Sequence, residues 1–324
     1  MALPVTVYFD NSVLEPIAAQ DAGGRIKKLF KEHGAVGFAS IQNLIEFFRI
    51  ELDDEQRGQR IRTLLQVARL REIVPVFYQD IRGVVGEIAR RHPEWINRNP
   101  SEDQIRKELN DAKLVWQRLK FDHHHRPPGF LANRRWLRDS IGELKRRQRS
   151  LGRNQVPGNA LSMAVLNPAV DASFKPLFDA LPLLEAHWRE TTALAYWSAL
   201  DSPGDQLVSN IKDWLAPYIF FERIDFEGWM RFWLLEVDGA ALPRVRVEGL
   251  TAYFQVKVES GNAGDVEHSG YAVGRDWVFT ADREFHRILT LVKQEVGSGM
   301  AQPVLVERTS ANIVGGITSA MGWN

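Results

Sequence analysis

Residues 276–285 read DWVFTADREF. The apolar run Trp277-Val278-Phe279 has the length and composition of a buried strand. The stretch REFHRILTLVKQEV, which begins at Arg283, places its apolar residues at helical spacing. Between strand and helix stands Thr280-Ala281-Asp282. A carboxylate at the edge of a buried strand is costly unless something pairs with it. A metal ion is one such partner, and its other ligands then have to come from elsewhere in the chain.

The N-terminal run VTVYF (5–9) is rich in β-branched and aromatic residues and closes in the same way, on Asp10. Residues 12–30 read as partly helical, interrupted at Gly23-Gly24, and AVGFAS (35–40) reads as a second strand. Ser40 is placed to cap the helix IQNLIEFFRI, whose Leu44, Phe47 and Phe48 form an apolar face. Strand, helix, strand, helix is the start of an α/β sheet. The pattern returns near the other end: GDVEHSGYAVG predicts a short helix and PVLVER a final strand, while AYFQVKVES fits helix or strand. From 51 to 249 the segments are amphipathic and helical, punctuated by Pro and Gly at HHHRPPGF, LGRNQVPGNA and LDSPGDQ, with no repeat of fixed period. The expected organisation is one discontinuous α/β domain (1–50 and 250–308), an all-helical insertion (51–249) and a Gly/Ser/Thr-rich tail (309–324).

Composition bounds the function classes. The 324 residues are 44% hydrophobic and 25% charged, with 41 basic and 41 acidic side chains, so any polyanion-binding surface requires local segregation of charge. With no cysteine, disulfides and thiolate zinc sites are excluded. The opening MALPVTVYFD has no basic region before its apolar run, and no stretch of about 18 apolar residues occurs. The expectation is a cytoplasmic protein with no membrane partner.

Four acids fall at element ends, where α/β proteins build sites: Asp10, Glu46, Asp265 and Asp282. Each has an ordinary reading. Asp10 ends a strand as turn residues do, Glu46 suits a solvated helix position, and Asp265 and Asp282 suit helix caps. His268 follows Asp265 by one helical turn and shares its face.

Taken together, VYFDNSVL, ASIQNLIEFF and GDVEHSGYAVGRDWVFTADREF resemble the PIN-domain nucleases, in a branch where a His accompanies the third Asp. The resemblance covers roughly residues 5–50 and 250–308, and the long helical insertion departs from the compact family pattern. It implies a PIN-like three-layer sandwich around a mainly parallel sheet. It also implies a metal-dependent endoribonuclease, in a toxin or defence role, with Asp10, Glu46, Asp265 and Asp282 as ligands of Mg²⁺ or Mn²⁺. Two carboxylates about 5 Å apart repel by roughly 3 kcal/mol at an effective dielectric near 20, a liability that a hard dication turns into a site. Such an ion activates water and stabilises the phosphoryl charge.

Supporting roles fall to Ser40 and Thr280, which either orient a carboxylate or cap helices, and to Asn11 beside Asp10. Asp276 stands before the strand, at the opposite end from Asp282, and reads as structural; His268 reads as a packing or supporting residue. A basic run in the insertion, Arg134, Arg135, Arg138, Lys145, Arg146, Arg147, Arg149 and Arg153, faces only Asp139 and Glu143 between 131 and 153. It is either an RNA-binding arm or a solvated helix face. The insertion is also a surface for an inhibitor or partner protein. Consecutive His123, His124 and His125 do not have metal-ligand spacing. Two other functions compete: a catalytically silent PIN-like scaffold that binds RNA or protein, and a haloacid-dehalogenase-type phosphatase with Asp10 as nucleophile. The phosphatase needs an acid at position 12, where this chain has Ser12.

Overall fold

The structure is a computed structural model that describes residues 4–49, 52–72, 76–125, 174–201, 212–238, 244, 262–307 and 312–323. Five strands, β1 (Val5–Phe9), β2 (Ala35–Ser40), β3 (Ala68–Glu72), β4 (Trp277–Thr280) and β5 (Gln302–Leu305), form one sheet in the order β3-β2-β1-β4-β5. Every pairing is parallel. A parallel sheet requires cover on both faces, and β1 shows it directly. Val7 and Phe9 point into one hydrophobic cluster and Tyr8 into another, all fully buried.

The first face is covered by α1 (Asn11–Ala19), α2 (Gly23–Glu32) and α4 (Asp54–Val67), through Leu14, Ile17, Ile26, Phe30, Ile61 and Leu64. Leu44, Phe47 and Phe48 of α3 (Ile41–Arg49) join this cluster. The sheet comes so close to α4 that β2 carries a glycine: a Cβ on Gly37 would lie 2.2 Å from the Val67 carbonyl oxygen.

The insertion builds its own core. In it are α5 (Val76–Arg91), α6 (Asp103–Phe121), α7 (Leu183–Asp201) and α8 (Phe226–Arg231), which continues into a wider turn at Phe232–Glu236. Trp229, Phe232 and Trp233 are fully buried there, with Trp188, Trp214 and Tyr218 around them. The indole N–H of Trp229 donates to the Ala193 carbonyl at 2.9 Å, one of the polar handles that let aromatics fill a core. α6 joins the two units: Ile105 packs in the helical core, while Trp116 and Leu119 pack in the sheet core.

The opposite face of the sheet is covered by α10 (Arg283–Val296), through Phe285, Ile288, Leu289 and Val292, and by Tyr271 and Ala272 after α9 (Asn262–Gly270). The result is an α/β fold with helices on both faces of a parallel sheet.

Two expected boundaries move. The insertion was expected to start at 51, yet α4 and β3 belong to the sheet unit, and β3 forms its edge beside β2. The described part of the insertion therefore begins at α5. Its only β contact among the described residues is a single bridge between Ile96 and Ile219. The expected tail, 309–324, contains α11 (Ile313–Ala320), capped by Asn312, which accepts from Gly315 N at 3.1 Å. Its two glycines each cost about 1 kcal/mol of helix propensity. Complete burial of Ile313 and Ile317 returns roughly 2 kcal/mol each, so packing decides the outcome. The basic run at 134–153 and the segment AYFQVKVES lie outside the described residues. Among the described residues no helix is long and apolar enough to cross a membrane.

Candidate functional site

The chain leaves β1 toward β2 on one side and returns to β4 on the other, so the strand order reverses between β1 and β4. The carboxyl ends of strands at such a reversal form a crevice that ligands occupy in open α/β sheets. Asp10 stands at that point. Its N–H donates to the Phe279 carbonyl at 2.9 Å, which continues the β1–β4 ladder by one residue and sets Asp10 beside Thr280. The Thr280 hydroxyl donates to Asp10 Oδ2 at 2.8 Å, and the Ser12 hydroxyl makes a short bond to the same oxygen. Ser12 is held in turn by the Ala281 N–H, which donates to its Oγ at 2.8 Å. Oδ2 is thereby occupied and Oδ1 is left to face the crevice.

Glu46 arrives from α3, whose two faces divide by spacing. Leu44, Phe47 and Phe48 enter the core, while Gln42, Asn43 and Glu46 turn toward the site. Gln42 Nε2 donates to Glu46 Oε1 at 2.9 Å, and Asn11 Nδ2 donates to Glu46 Oε2 at 2.7 Å. Asn43 is completely buried and ties the elements together, donating to the Phe9 carbonyl and to Asn11 Oδ1, both at 2.9 Å.

The third member of the cluster is His268 of α9, also fully buried. Its Nε2 stands 3.0 Å from Glu46 Oε1 and 3.8 Å from Asp10 Oδ1. The Glu46 contact is short but off the ring N–H direction, so this buried nitrogen has no hydrogen-bond partner. The ligand atoms of Asp10, Glu46 and His268 all lie within 4.8 Å of one another. The side chains are 5%, 20% and 0% exposed respectively, so the crevice opens on the Glu46 side.

The electrostatics follow from this closeness. Burial pushes the Asp10 carboxyl up; the His268 charge and its two hydroxyl donors only partly offset that, and it remains raised. Burial also pushes Glu46 up, but His268, Gln42 and Asn11 outweigh it and hold Glu46 below the ordinary range. Burial pushes His268 down, whereas Glu46, then Asp10 and Asp265, pull it up to about 9. The cluster thus holds an imidazolium between two carboxylates, with Asp10 the acid nearer to protonation.

Of the expected acids, Asp10 and Glu46 converge. Asp265 lies in the first turn of α9 rather than at its cap, and its charge reaches the site through its effect on His268. Asp282 caps α10, with Oδ1 accepting from Glu284 N at 2.8 Å and Phe285 N at 3.0 Å. Neither joins the three-residue cluster. Asp276 accepts from Thr6 N and Thr6 Oγ1, both at 2.7 Å, at the start of β4 and away from the crevice. Thr280, Ser40 and Asn11 all take part in the network around the site. Sequence reasoning missed Tyr8, Gln42 and Asn43 as contributors and placed His268 outside the ligand set. The spacings Gln42–Glu46 (i, i+4) and Ser40–Asn43 (i, i+3) were the available signals.

Compared with known proteins, the chain matches no protein-family model, no curated protein and no solved structure.

Proposed function

We propose that the protein is a PIN-like, divalent-metal-dependent endoribonuclease, acting in a toxin or defence role. One observation carries the reading: Asp10, at the end of β1, and Glu46, on α3, meet at the strand-order reversal beside the buried His268 Nε2, which makes no hydrogen bond. Asp10 keeps Oδ2 fixed by donors and presents Oδ1 to the crevice, while each Glu46 oxygen takes one amide donor and keeps a further lone pair for an ion. Such a set fits a dication, which supplies Lewis-acid stabilisation of phosphoryl charge and activation of water when bound. Mg²⁺ or Mn²⁺ is the expected ion.

The chain's own residues do the positioning. Ser12 and Thr280 fix the Asp10 carboxylate, and Asn11 and Gln42 fix that of Glu46. Asp265 and Asp282, on the neighbouring helix N-termini, serve as ligands through water at the rim. The partly exposed side of Glu46 admits the RNA backbone, and the basic run from Arg134 to Arg149 supplies phosphate contacts. The helical insertion offers surface to an inhibitor or partner protein.

A specific observation also supports a second reading. The His268 imidazolium already offsets one of the two carboxylate charges, as it would in a silent scaffold that binds RNA or protein without an ion. The phosphatase reading gains nothing, because position 12 carries a hydroxyl bonded to Asp10 and not an acid.

The test is cleavage of end-labelled single-stranded RNA and DNA with Mg²⁺, Mn²⁺ or EDTA, by the full chain and its Asp10→Asn variant. Metal-dependent RNA cutting that vanishes in the variant supports the nuclease. Absence of cutting across varied RNAs, in a protein that still binds them, supports the scaffold.

A further inference from the structure

We infer that His268 is a direct metal ligand through Nε2, and that the site therefore selects a first-row transition dication of the Mn²⁺–Zn²⁺ series over Mg²⁺. The inference deepens the metal-dependent reading above and rests on it.

The argument starts at a fixed amide. Asn43 Oδ1 accepts from the backbone N–H of Ser40 at 2.8 Å, and Asn43 Nδ2 donates to the Phe9 carbonyl at 2.9 Å. Both partners have only one possible role, so the orientation of the Asn43 amide is determined. Ser40 Oγ lies 3.1 Å from Asn43 Oδ1, an acceptor, so the Ser40 hydroxyl donates there. With the Ser40 proton assigned to Asn43 Oδ1, the Tyr8 hydroxyl at 2.8 Å is assigned as the donor to Ser40, so that no close oxygen pair lacks a proton. Tyr8 has one proton, so toward His268 Nδ1, at 2.5 Å, its oxygen can only accept. His268 consequently keeps a proton on Nδ1 with or without a second on Nε2, the nitrogen turned toward Asp10 and Glu46.

This is the arrangement that orients metal-binding imidazoles: one ring N–H anchored by a buried acceptor, the other nitrogen aimed at the ion. Nε2 is completely buried, makes no hydrogen bond and faces Asp10 Oδ1, at 3.8 Å, and Glu46 Oε1, at 3.0 Å, the latter also accepting from Gln42. An ion bound there replaces a proton on Nε2, which leaves to solvent. The donor set of two carboxylates and one imidazole is decisive for selectivity. Mg²⁺ prefers an all-oxygen, largely hydrated shell, whereas imidazole nitrogen suits the transition dications.

The test is pulsed electron paramagnetic resonance of the full chain loaded with Mn²⁺, together with competition by Mg²⁺. We expect modulation from a directly bound ¹⁴N in the wild type, and displacement of Mn²⁺ by Mg²⁺ only at an excess of more than about tenfold. His268→Gln should lose the nitrogen coupling. Tyr8→Phe should keep the coupling but weaken Mn²⁺ binding by about tenfold or more. Mn²⁺ bound without nitrogen coupling, Mg²⁺ bound as tightly as Mn²⁺, or no Mn²⁺ binding would each overturn the inference. The wild-type spectrum needs no variant to fold. A coupled nitrogen in a protein that cuts no RNA would sink the nuclease and leave the ligand assignment standing. RNA cutting without the coupling would do the reverse.

Discussion

Asn11 Nδ2 donates to Glu46 Oε2 at 2.7 Å, linking the first turn of α1 to the middle of α3. The bond is charge-assisted, and Asn11 is itself buried with 6% exposure, so loss of the amide leaves a buried carboxylate short of a donor. Asn11→Ala is expected to cost about 2 kcal/mol of stability. Asn11→Asp should cost more, because it sets a like charge against Glu46. Denaturant midpoints at pH 7 measure both, and an aspartate variant as stable as wild type would show that this bond does not position Glu46.

Gly37 shows how tightly β2 and the end of α4 are apposed. An added methyl would meet Val67 O at 2.2 Å and Phe9 Cε2 at 2.9 Å, and the backbone oxygen cannot swing away. Gly37→Ala should destabilise by about 3 kcal/mol, at the upper end of overpacking costs. Gly24, where an added Cβ meets nothing within 4 Å, is the control: Gly24→Ala in α2 should be neutral or stabilising. Thermal unfolding of the two variants makes the comparison.

Glu190 gives a prediction with a defined pH sign. It lies on α7 with 7% exposure, and burial raises its carboxyl above the ordinary range. Below the unfolded value, about 4.3, the group is protonated in both states and costs nothing. As pH rises from there through the folded value, the unfolded chain gives up its proton more readily, and the folded state loses stability. Glu190→Gln removes that loss. The variant should be more stable than wild type at pH 7, by about 1 kcal/mol, with the gain gone near pH 3. Paired melting curves at the two pH values check it; equal gains at both would mean that packing, not charge, is responsible.

Much of this arrangement was legible in the sequence. VTVYF, AVGFAS and WVFT announce themselves by β-branched and aromatic content, and Asp10 and Glu46 were identified as members of a site. β3 was not, because ARLRE follows α4 with no glycine, proline or other breaker between Val67 and Ala68. In sequence the helical pattern runs on. α11 was missed because IVGGITSA has weak helix propensity and folds through the burial of Ile313 and Ile317, a contact made across the chain. His268 was legible as a neighbour of Asp265 but not as a partner of Glu46. That pairing depends on α3 and α9 meeting, and no local spacing encodes such a meeting.

Asp276 and Asp282 flank the same strand, and the structure gives them different work. Asp276 holds Thr6 through two bonds at 2.7 Å at the start of β4, while Asp282 caps α10 and stands beside the crevice end. Asp276→Asn keeps an oxygen acceptor for Thr6 but removes the charge, so it should lower stability by about 1 kcal/mol and leave Mn²⁺ affinity unchanged. Asp282→Asn retains a capping oxygen, since Asn caps as well as Asp, so its stability should stay within a few tenths of a kcal/mol of wild type. If Asp282 also serves the site through water, that variant weakens Mn²⁺ binding or RNA cutting without a matching loss in melting temperature. If its only role is the cap, neither binding nor cutting moves. Measuring Mn²⁺ affinity and melting temperature on both variants separates the two roles, because a structural acid shifts the melt alone and a site acid shifts the binding alone.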